Sequence, residues 1–388
     1  MLGFGSRQRL ERVAALTLKV GRAYVMMGKT QKGCIMPDIA LRFRKDMLVL
    51  SSPIEVALAR QGVDTERDMG FITLIEPDSL QEALRLEVMA GAQCLVANTA
   101  GITPARMAQS GMEDRAADVA HAALSVVREL KPQHALVEIG PCGLPLDPTS
   151  KASLNENRDQ YARAARLFEN EPFDAFFLNG FAGKTDLLCA LMGIRKVSDA
   201  PVFASVDVLP QGKLVNGRDS LEEACQIMQE YGASVAGFAT AAPIDEACDL
   251  ASRAAASTDL PLLAQLVVAK RDPKQGGPTP ENPYYCPDAV VDAALRLRAA
   301  GVQFLCAAGD ASPAYTGALA ATVSGLDVAV PVAAGEFSPS ADKGKAEGEP
   351  DGEERPVAAP AATEADLRAV ADALRSKVEA AFSEDGQA

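Results

Sequence analysis

The chain has 388 residues, and 48% of them are hydrophobic, which is enough for one large core. Its formal net charge of -14 argues against nucleic acid or an anionic membrane as the main partner, because both are bound by basic patches. No segment has the pattern of a signal peptide or of a long uninterrupted apolar span, so we expect a cytoplasmic protein.

Residues 1–45 form an N-terminal extension before the first predicted strand. Apolar spacing predicts a helix over residues 7–27, and Gly28, Gly33 and Pro37 predict a loop after it. We expect this extension either to cap the domain that follows or to form a surface for a partner.

Residues 46–334 contain eight short apolar runs, each followed by a longer stretch with helical spacing. Runs without polar alternation are typical of parallel strands that are buried on both faces. The predicted strands are Met47–Leu50, Cys94–Ala97, Ala135–Ile139, Ala175–Leu178, Val202–Val206, Val235–Phe238, Leu262–Val268 and Val302–Leu305. Eight such units predict an α/β fold, the (β/α)8 or TIM barrel. A doubly wound open sheet is the alternative, but Ser51-Ser52-Pro53 after the first strand is not its glycine-rich phosphate turn.

The C-terminal part has a different composition. Residues 335–362 are rich in Pro, Glu, Gly and Ala and predict a flexible linker, because they bury too little apolar surface to offset the entropy cost of ordering. Residues 363–388 predict a final helix with one apolar stripe, formed by Leu367, Val370, Leu374, Val378 and Phe382. We expect this stripe to pack on the barrel, to pair in a homodimer or to dock on another protein.

Several strand ends carry recognisable motifs in chain order. Residues 92–101 (AQCLVANTAG) contain the second predicted strand, and residues 138–143 (EIGPCG) end the third. Pro201–Ser205 lies in the fifth, and Ser312-Pro313 follows the eighth. Together they resemble the homocysteine S-methyltransferase family, whose barrel occurs in betaine–homocysteine methyltransferases and at the start of cobalamin-dependent methionine synthase. The resemblance spans about residues 45–325 and implies a TIM barrel with a role in methionine metabolism.

The resemblance also implies where the family's zinc would be bound. Family members hold the ion on three thiolates, one after strand six and an adjacent pair after strand eight, and the open position takes the homocysteine sulfur. Here these positions are Thr240, Ala308 and Gly309, so no thiolate remains. The acidic residues that would hold the homocysteine amine are replaced by Ser51-Ser52 and by Asn179. We therefore expect a divergent member with no zinc or other cofactor, which binds homocysteine weakly or not at all.

Polar side chains remain at the predicted strand ends, which meet at the mouth of a barrel. Amides and hydroxyls there suit hydrogen bonds to a small polar ligand, and the predicted substrate-binding residues are Ser51, Asn98, Thr99, Asn179, Ser205 and Thr240. The candidate catalytic acids or bases are Glu138, Asp207 and Asp310. A structural role, such as capping a helix or accepting loop amides, is the alternative for each residue.

A replacement metal site built on cysteines would need three or four ligand groups that converge on one ion. The candidates near the mouth are Cys142, Cys286, Cys306 and Asp310, and their spacing does not require such convergence. The simpler expectation is that Cys306 packs into the strand end and that Cys142 is exposed in its loop.

The sequence therefore favours a methyltransferase-family protein that acts on a small polar metabolite or a methyl-carrying cofactor at the barrel mouth. The alternative is a catalytically inactive pseudoenzyme or scaffold whose terminal helices bind a corrinoid protein or a methyltransferase subunit. Lyase or decarboxylase chemistry also stays open, because a fold does not fix function.

Overall fold

The computed structural model describes residues 38–65, 68–270, 272 and 274–329. The predicted helix over residues 7–27, the linker over 335–362 and the final helix over 363–388 lie outside the described residues. Within the described ranges, none of the helices has the length and apolar character needed to cross a membrane.

Eight parallel strands form a barrel, which confirms the predicted (β/α)8 fold. Around the ring, β1 pairs with β8, and the order then descends from β8 to β2. The ring closes between β1 and β2 through a single parallel bridge from Leu50 to Cys94. The strands are β1 (Leu48–Val49), β2 (Cys94–Ala97), β3 (His134–Ile139), β4 (Ala175–Phe181), β5 (Val202–Asp207), β6 (Val235–Thr240), β7 (Leu262–Val268) and β8 (Val302–Gly309).

Four strands continue further at their carboxyl ends than the apolar pattern predicts. The observed ends of β4, β5, β6 and β8 are Phe181, Asp207, Thr240 and Gly309. Backbone pairing of Asp207 with Ala239 and of Gly309 with Val268 extends the ladders. Backbone hydrogen bonds do not depend on side-chain polarity, so polar and small residues hide the last part of a strand from a hydropathy pattern.

Helices cover the outside of the barrel. Within the described residues, three lie between β1 and β2, two between β2 and β3, and one after each later strand. They are α1 (Glu55–Arg60), α2 (Met69–Ile75), α3 (Pro77–Ala90), α4 (Pro104–Gln109), α5 (Ala116–Glu129), α6 (Lys151–Arg166), α7 (Lys184–Arg195), α8 (Leu221–Glu230), α9 (Ile244–Ser257), α10 (Ala289–Ala299) and α11 (Pro313–Val323). Ser150 and Ser220 cap α6 and α8 by accepting backbone N–H groups at their hydroxyl oxygens.

Aromatic side chains fill the amino-terminal end of the barrel. Phe203 and Phe304 pack edge to face, with 4.7 Å between their ring centroids. Phe43, which precedes β1, packs on both rings at 6.1 and 6.0 Å. These contacts close the amino-terminal end, so the open end is the one at which the strands terminate.

Candidate functional site

The carboxyl ends of the strands enclose a small cavity at the barrel mouth, with a volume of about 30 Å³. Its polar lining comes from the segments after β1 and β2 and from β3, β4 and β7, and Cys306 of β8 adds a thiol. The polar residues are Ser51, Ser52, Glu55, Asn98, Glu138, Asn179 and Gln265. The sequence predicts four of them as site residues, namely Ser51, Asn98, Glu138 and Asn179.

A chain of hydrogen bonds joins four strands across the mouth. Asn179 donates from Nδ2 to Oε1 of Glu138 at 2.8 Å, and its Oδ1 accepts from Nε2 of Gln265, also at 2.8 Å. Gln265 Nε2 donates in addition to Oγ of the fully buried Ser205 at 2.7 Å. Because the Asn179 amide has both its donor and its acceptor end engaged, the chain fixes the orientation of Asn179 and holds the Glu138 carboxyl group in place.

Glu55, at the start of α1, and Glu138, in β3, form a pair of carboxyl groups at this mouth. Burial raises the pKa of both above the ordinary value of 4.5, and the charge of Glu55 helps to raise the pKa of Glu138 to about 8. The hydrogen bond from Asn179 opposes this shift because it stabilises the charged form. No lysine or arginine of the described residues forms an ion pair with either group. Near neutral pH the pair therefore retains a proton, and a cation beside it would be stabilised.

Ser52 is supported from behind by a buried carboxyl group. Glu87 of α3 accepts at Oε2 from the Ser52 N–H at 2.9 Å and from Oγ1 of Thr316 at 2.6 Å. Since Thr316 donates its proton to Glu87, the 2.7 Å contact between the two hydroxyls is a bond from Ser52 to Thr316. Ser51 Oγ accepts from the N–H of Val96 at 3.0 Å. The segment after β1 is thus tied to α3, α11 and β2.

The hydroxyl groups of Thr99 and Thr240 bind local backbone. Thr99 donates from Oγ1 to the carbonyl oxygen of Glu138 at 2.7 Å, and Thr240 Oγ1 accepts from the N–H of Ala242 at 3.2 Å. Both side chains are buried, and neither lines the mouth cavity. These contacts are structural, but Thr99 also lines a larger cleft beside the mouth, so its role in ligand binding stays a prediction.

The two predicted aspartates also lie outside the lining of the mouth cavity. Asp310 follows β8 and forms a salt bridge with Arg60, with 3.7 Å between Oδ2 and Nη2. Asp207 ends β5, and burial raises its pKa. Of the three candidate acids or bases, Glu138 is the one that lines this cavity.

Asn98 lies where the mouth cavity meets a larger cleft of about 670 Å³. The residue is only 9% exposed, and its Nδ2 has no hydrogen-bond partner among the described residues. A buried amide donor without an acceptor is unfavourable by about 1–3 kcal/mol. An acceptor atom of a bound molecule would remove that cost.

Cys142 is buried, and the expectation that it is exposed in its loop is wrong. It is 1% exposed, because the loop after β3 folds back onto α6. Its Sγ donates to Oδ1 of Asn157 at 3.0 Å, and its N–H donates to the hydroxyl of Tyr161 at 3.0 Å. Cys306 packs in the strand end and contacts the carbonyl oxygen of Ser51 at 3.5 Å. Burial raises the pKa of both thiols, which keeps them protonated.

The family's zinc does not fit the donors that this chain offers. Zinc in such sites is held by thiolates, whereas Thr240 carries a hydroxyl that already binds backbone and Ala308 and Gly309 carry no donor. Among the residues with described positions, no group of three or more His, Cys, Asp or Glu side chains is arranged to hold a metal ion. Cys142, Cys286 and Cys306 are therefore not brought together as a replacement site.

We expect the full-length protein to carry no stoichiometric zinc after purification, because the positions of the family's ligands lack thiolates. Elemental analysis of dialysed protein measures this directly, and the Cys306→Ser and Cys142→Ser variants serve as controls. All three proteins should give the same low value. One zinc per chain in the unmodified protein, reduced in either variant, would contradict the prediction and identify a ligand.

Ser52, Glu55 and Gln265 line the mouth but are not among the predicted site residues. Glu55 lies in the first turn of α1, where an acidic residue is expected for helix stability alone. Gln265 is the one polar residue of β7, whose sequence is LLAQLVV, and a polar side chain inside a buried run is a usable signal. A search for such interruptions would have found Gln265 but not Glu55.

Comparison with known proteins gives two kinds of match. A family model described as homocysteine S-methyltransferase matches residues 51–307. The metallated form of the homocysteine methyltransferase MmuM from Escherichia coli aligns with a TM-score of 0.60 at 15% identity, covering 74% of this chain and 99% of that chain. Its oxidized form gives a TM-score of 0.61 at 16% identity with the same coverage. A search of curated protein sequences finds no match. At these identities the structural likeness establishes the fold alone.

Proposed function

Because the chain belongs to the homocysteine S-methyltransferase family, we propose that its barrel mouth supports methyl transfer involving a small polar molecule, with Glu138 as proton acceptor in place of thiolate zinc. The observation that carries this proposal is the Glu55–Glu138 pair, a proton-holding site at the carboxyl ends of the strands. Catalytic groups of TIM barrels lie at this end.

Methyl transfer to a thiol, amine or hydroxyl group requires that the acceptor lose a proton. The acceptor's lone pair forms the bond to the methyl carbon while the bond from methyl to donor breaks, and the donor leaves with that electron pair. The acceptor's proton passes to the Glu138 carboxylate. With a pKa near 8, Glu138 is ionised in a minority of molecules at pH 7 and in about half at pH 8, and this ionised form is the base that accepts the proton. A sulfonium or quaternary ammonium donor would also be attracted to the carboxyl pair before the reaction.

The remaining polar residues support binding and orientation. Asn179 and Gln265 hold the Glu138 carboxyl group, and Asn98 presents a free donor to an acceptor atom of the ligand. Ser51 and Asn179, at the positions where the family would hold the homocysteine amine, carry no charge. Glu55 and Glu138 offer negative charge to an ammonium group instead. Homocysteine is still expected to be a poor methyl acceptor. Thr240, Ala308 and Gly309 carry no thiolate that would hold a zinc ion for its sulfur.

A labelled-methyl assay tests the proposal. Chelator-treated full-length protein is incubated with deuterated sulfonium and quaternary ammonium donors and with thiol, amine and hydroxyl acceptors, and mass spectrometry detects the labelled product. We expect transfer that is insensitive to the chelator. The Glu138→Gln variant should be slower by about a hundredfold, because it cannot accept the proton.

Glu129→Gln is the matched control, since Glu129 is exposed on α5 and the chemical change is the same. It should keep the unmodified rate. Transfer that needs added zinc, or that survives in Glu138→Gln, would refute the role of Glu138. Failure of transfer with every pair of compounds would instead favour the alternative, a catalytically inactive pseudoenzyme or scaffold.

A further inference from the structure

A second cavity adjoins the mouth and is much larger. It has a volume of about 670 Å³ and shares Glu55 and Asn98 with the mouth cavity. Ligand pockets for molecules of cofactor size lie in the range of roughly 300–1,000 Å³. The mouth, at about 30 Å³, accommodates no more than a small group. A molecule that reaches Glu138 must therefore place most of its atoms in the cleft.

The walls of the cleft differ in chemical character. Met69 of α2 and Met107 of α4 supply apolar surface, together with Ile102. Flexible methionine side chains adapt to apolar groups of different shape. Arg106 and Gln109 of α4 supply polar groups near the outer edge, where both side chains are exposed.

Arg106 is not engaged by the described part of the protein. It has no ion pair or hydrogen bond among the described residues, whereas Arg85 and Arg115 pair with the nearby carboxylates Glu82 and Asp118. A Cβ atom at Gly143 would lie 3.4 Å from Cδ of Arg106 and 3.8 Å from Nε2 of Gln109, so both side chains lie over the same loop. A guanidinium group beside an amide donor is suited to a carboxylate or phosphate.

Asn98 supplies an independent indication of a ligand. Its Nδ2 is buried at the inner end of the cleft, and no atom in the described part of the chain accepts a hydrogen bond from it. The cleft thus presents hydrogen-bond donors at both ends, with apolar surface between them. Its lining also includes the carboxyl groups of Asp64 and of Glu55, the latter shared with the mouth, so an anionic group is favoured at Arg106 and Gln109.

We propose that this cleft binds a cofactor-sized molecule with an anionic tail, the tail at Arg106 and Gln109 and the body against Met69 and Met107. An acceptor atom of the molecule bonds to Asn98, and its other end reaches the mouth. The inference rests on the proposed function only in that one ligand occupies both the cleft and the mouth. The charge of the tail can be tested without any methyl transfer.

The test uses two fluorescent probes with the full-length protein. Anilinonaphthalene sulfonate carries a fused aromatic body and one anionic group, and phenylnaphthylamine is the same body without the sulfonate. Arg106→Gln should weaken binding of the sulfonate probe by about tenfold and leave the neutral probe unchanged. Arg128→Gln, at the exposed end of α5, is the matched control and should change neither. Displacement of the sulfonate probe by inorganic phosphate or by glutarate then distinguishes a phosphate tail from a carboxylate tail.

Equal binding of the sulfonate probe to the unmodified protein and to Arg106→Gln would overturn the proposal. A parallel loss of both probes would also overturn it, because the effect would then lie in the apolar walls. Phe71 and Ile75 are exposed apolar side chains. Any binding of the probes there would be independent of Arg106, and the neutral probe corrects for it. An Arg106-dependent sulfonate signal together with absent methyl transfer would refute the proposed function and leave the anion site standing.

Discussion

A protein with cysteine in place of Gly309 is expected to melt at least about 5 °C below the unmodified protein, because the end of β8 admits no side chain there. Gly309 has a φ of +68°, in the left-handed region that side chains disfavour. A Cβ atom would also lie 2.4 Å from the carbonyl oxygen of Val268 and 3.0 Å from Cγ1 of Val267. Strain and overpacking together amount to about 2–5 kcal/mol. Calorimetry or circular dichroism measures the shift.

Ala308→Cys is the matched control, since it adds the same thiol one residue earlier, where a Cβ already exists. Its melting temperature should change by no more than about 2 °C. Equal melting temperatures for the two variants would mean that the backbone at Gly309 relaxes to admit a side chain. If the prediction holds, a thiolate pair at residues 308 and 309 cannot be built by substitution alone without destabilising this strand end.

Glu138→Gln should raise the free energy of unfolding of the ligand-free protein, and this increase over the unmodified protein should grow with pH. Below the ordinary pKa of 4.5 the group is protonated in both folded and unfolded chains, so its protonation favours neither. Between 4.5 and about 8 the unfolded chain ionises while the folded chain keeps its proton, so rising pH favours unfolding. Glutamine stays neutral and avoids this loss. The difference should reach on the order of 2–4 kcal/mol at alkaline pH.

Denaturant unfolding of both proteins across this pH range measures the effect, with Glu129→Gln as the control. The control's difference from the unmodified protein should be small at every pH, because Glu129 is exposed. A gain for Glu138→Gln that is the same at low and high pH would show that packing, rather than ionisation, is responsible. A stabilised variant that no longer transfers methyl groups would place Glu138 among residues kept at a cost to stability.

The fold follows from the sequence because eight buried parallel strands produce eight uninterrupted apolar runs. The predicted bounds of β2 and β7 agree with the structure, and those of β8 fall short by the segment from Cys306 to Gly309. That segment pairs along its backbone with β7 but contains alanine, glycine and one cysteine. A hydropathy pattern responds to large apolar side chains, so it stops at these small residues although Cys306, Ala307 and Ala308 are buried.

The site is less predictable, because hydrophobic pattern does not report which side chains converge. Glu138 and Asn179 are predicted at strand ends, and the structure joins them by a hydrogen bond. Glu55 is indistinguishable in sequence from an ordinary acid in a first helical turn, since its proximity to Glu138 arises only when the ring closes. The burial of Cys142 is also hidden in the sequence, because it depends on how the loop packs on the following helix, which supplies its partner Asn157.

The closure of the ring at one bridge has a consequence for how the protein moves. β1 has two residues. Besides the bridge of Leu50 with Cys94, it is joined to β2 by two backbone bonds, from Ser51 to Cys94 and from Gln93 to Val49, and by side-chain bonds of Gln93 and Ser51. Regions held by few backbone bonds open locally at a lower free energy than the rest of a domain. The seam between β1 and β2 is therefore where amide hydrogens should exchange with solvent soonest. Ser51, Ser52 and Glu55 follow that seam. We therefore expect this wall of the mouth to open more readily than the wall built on β3, β4 and β7, within the limit set by the bonds of Ser52 to Glu87 and Thr316.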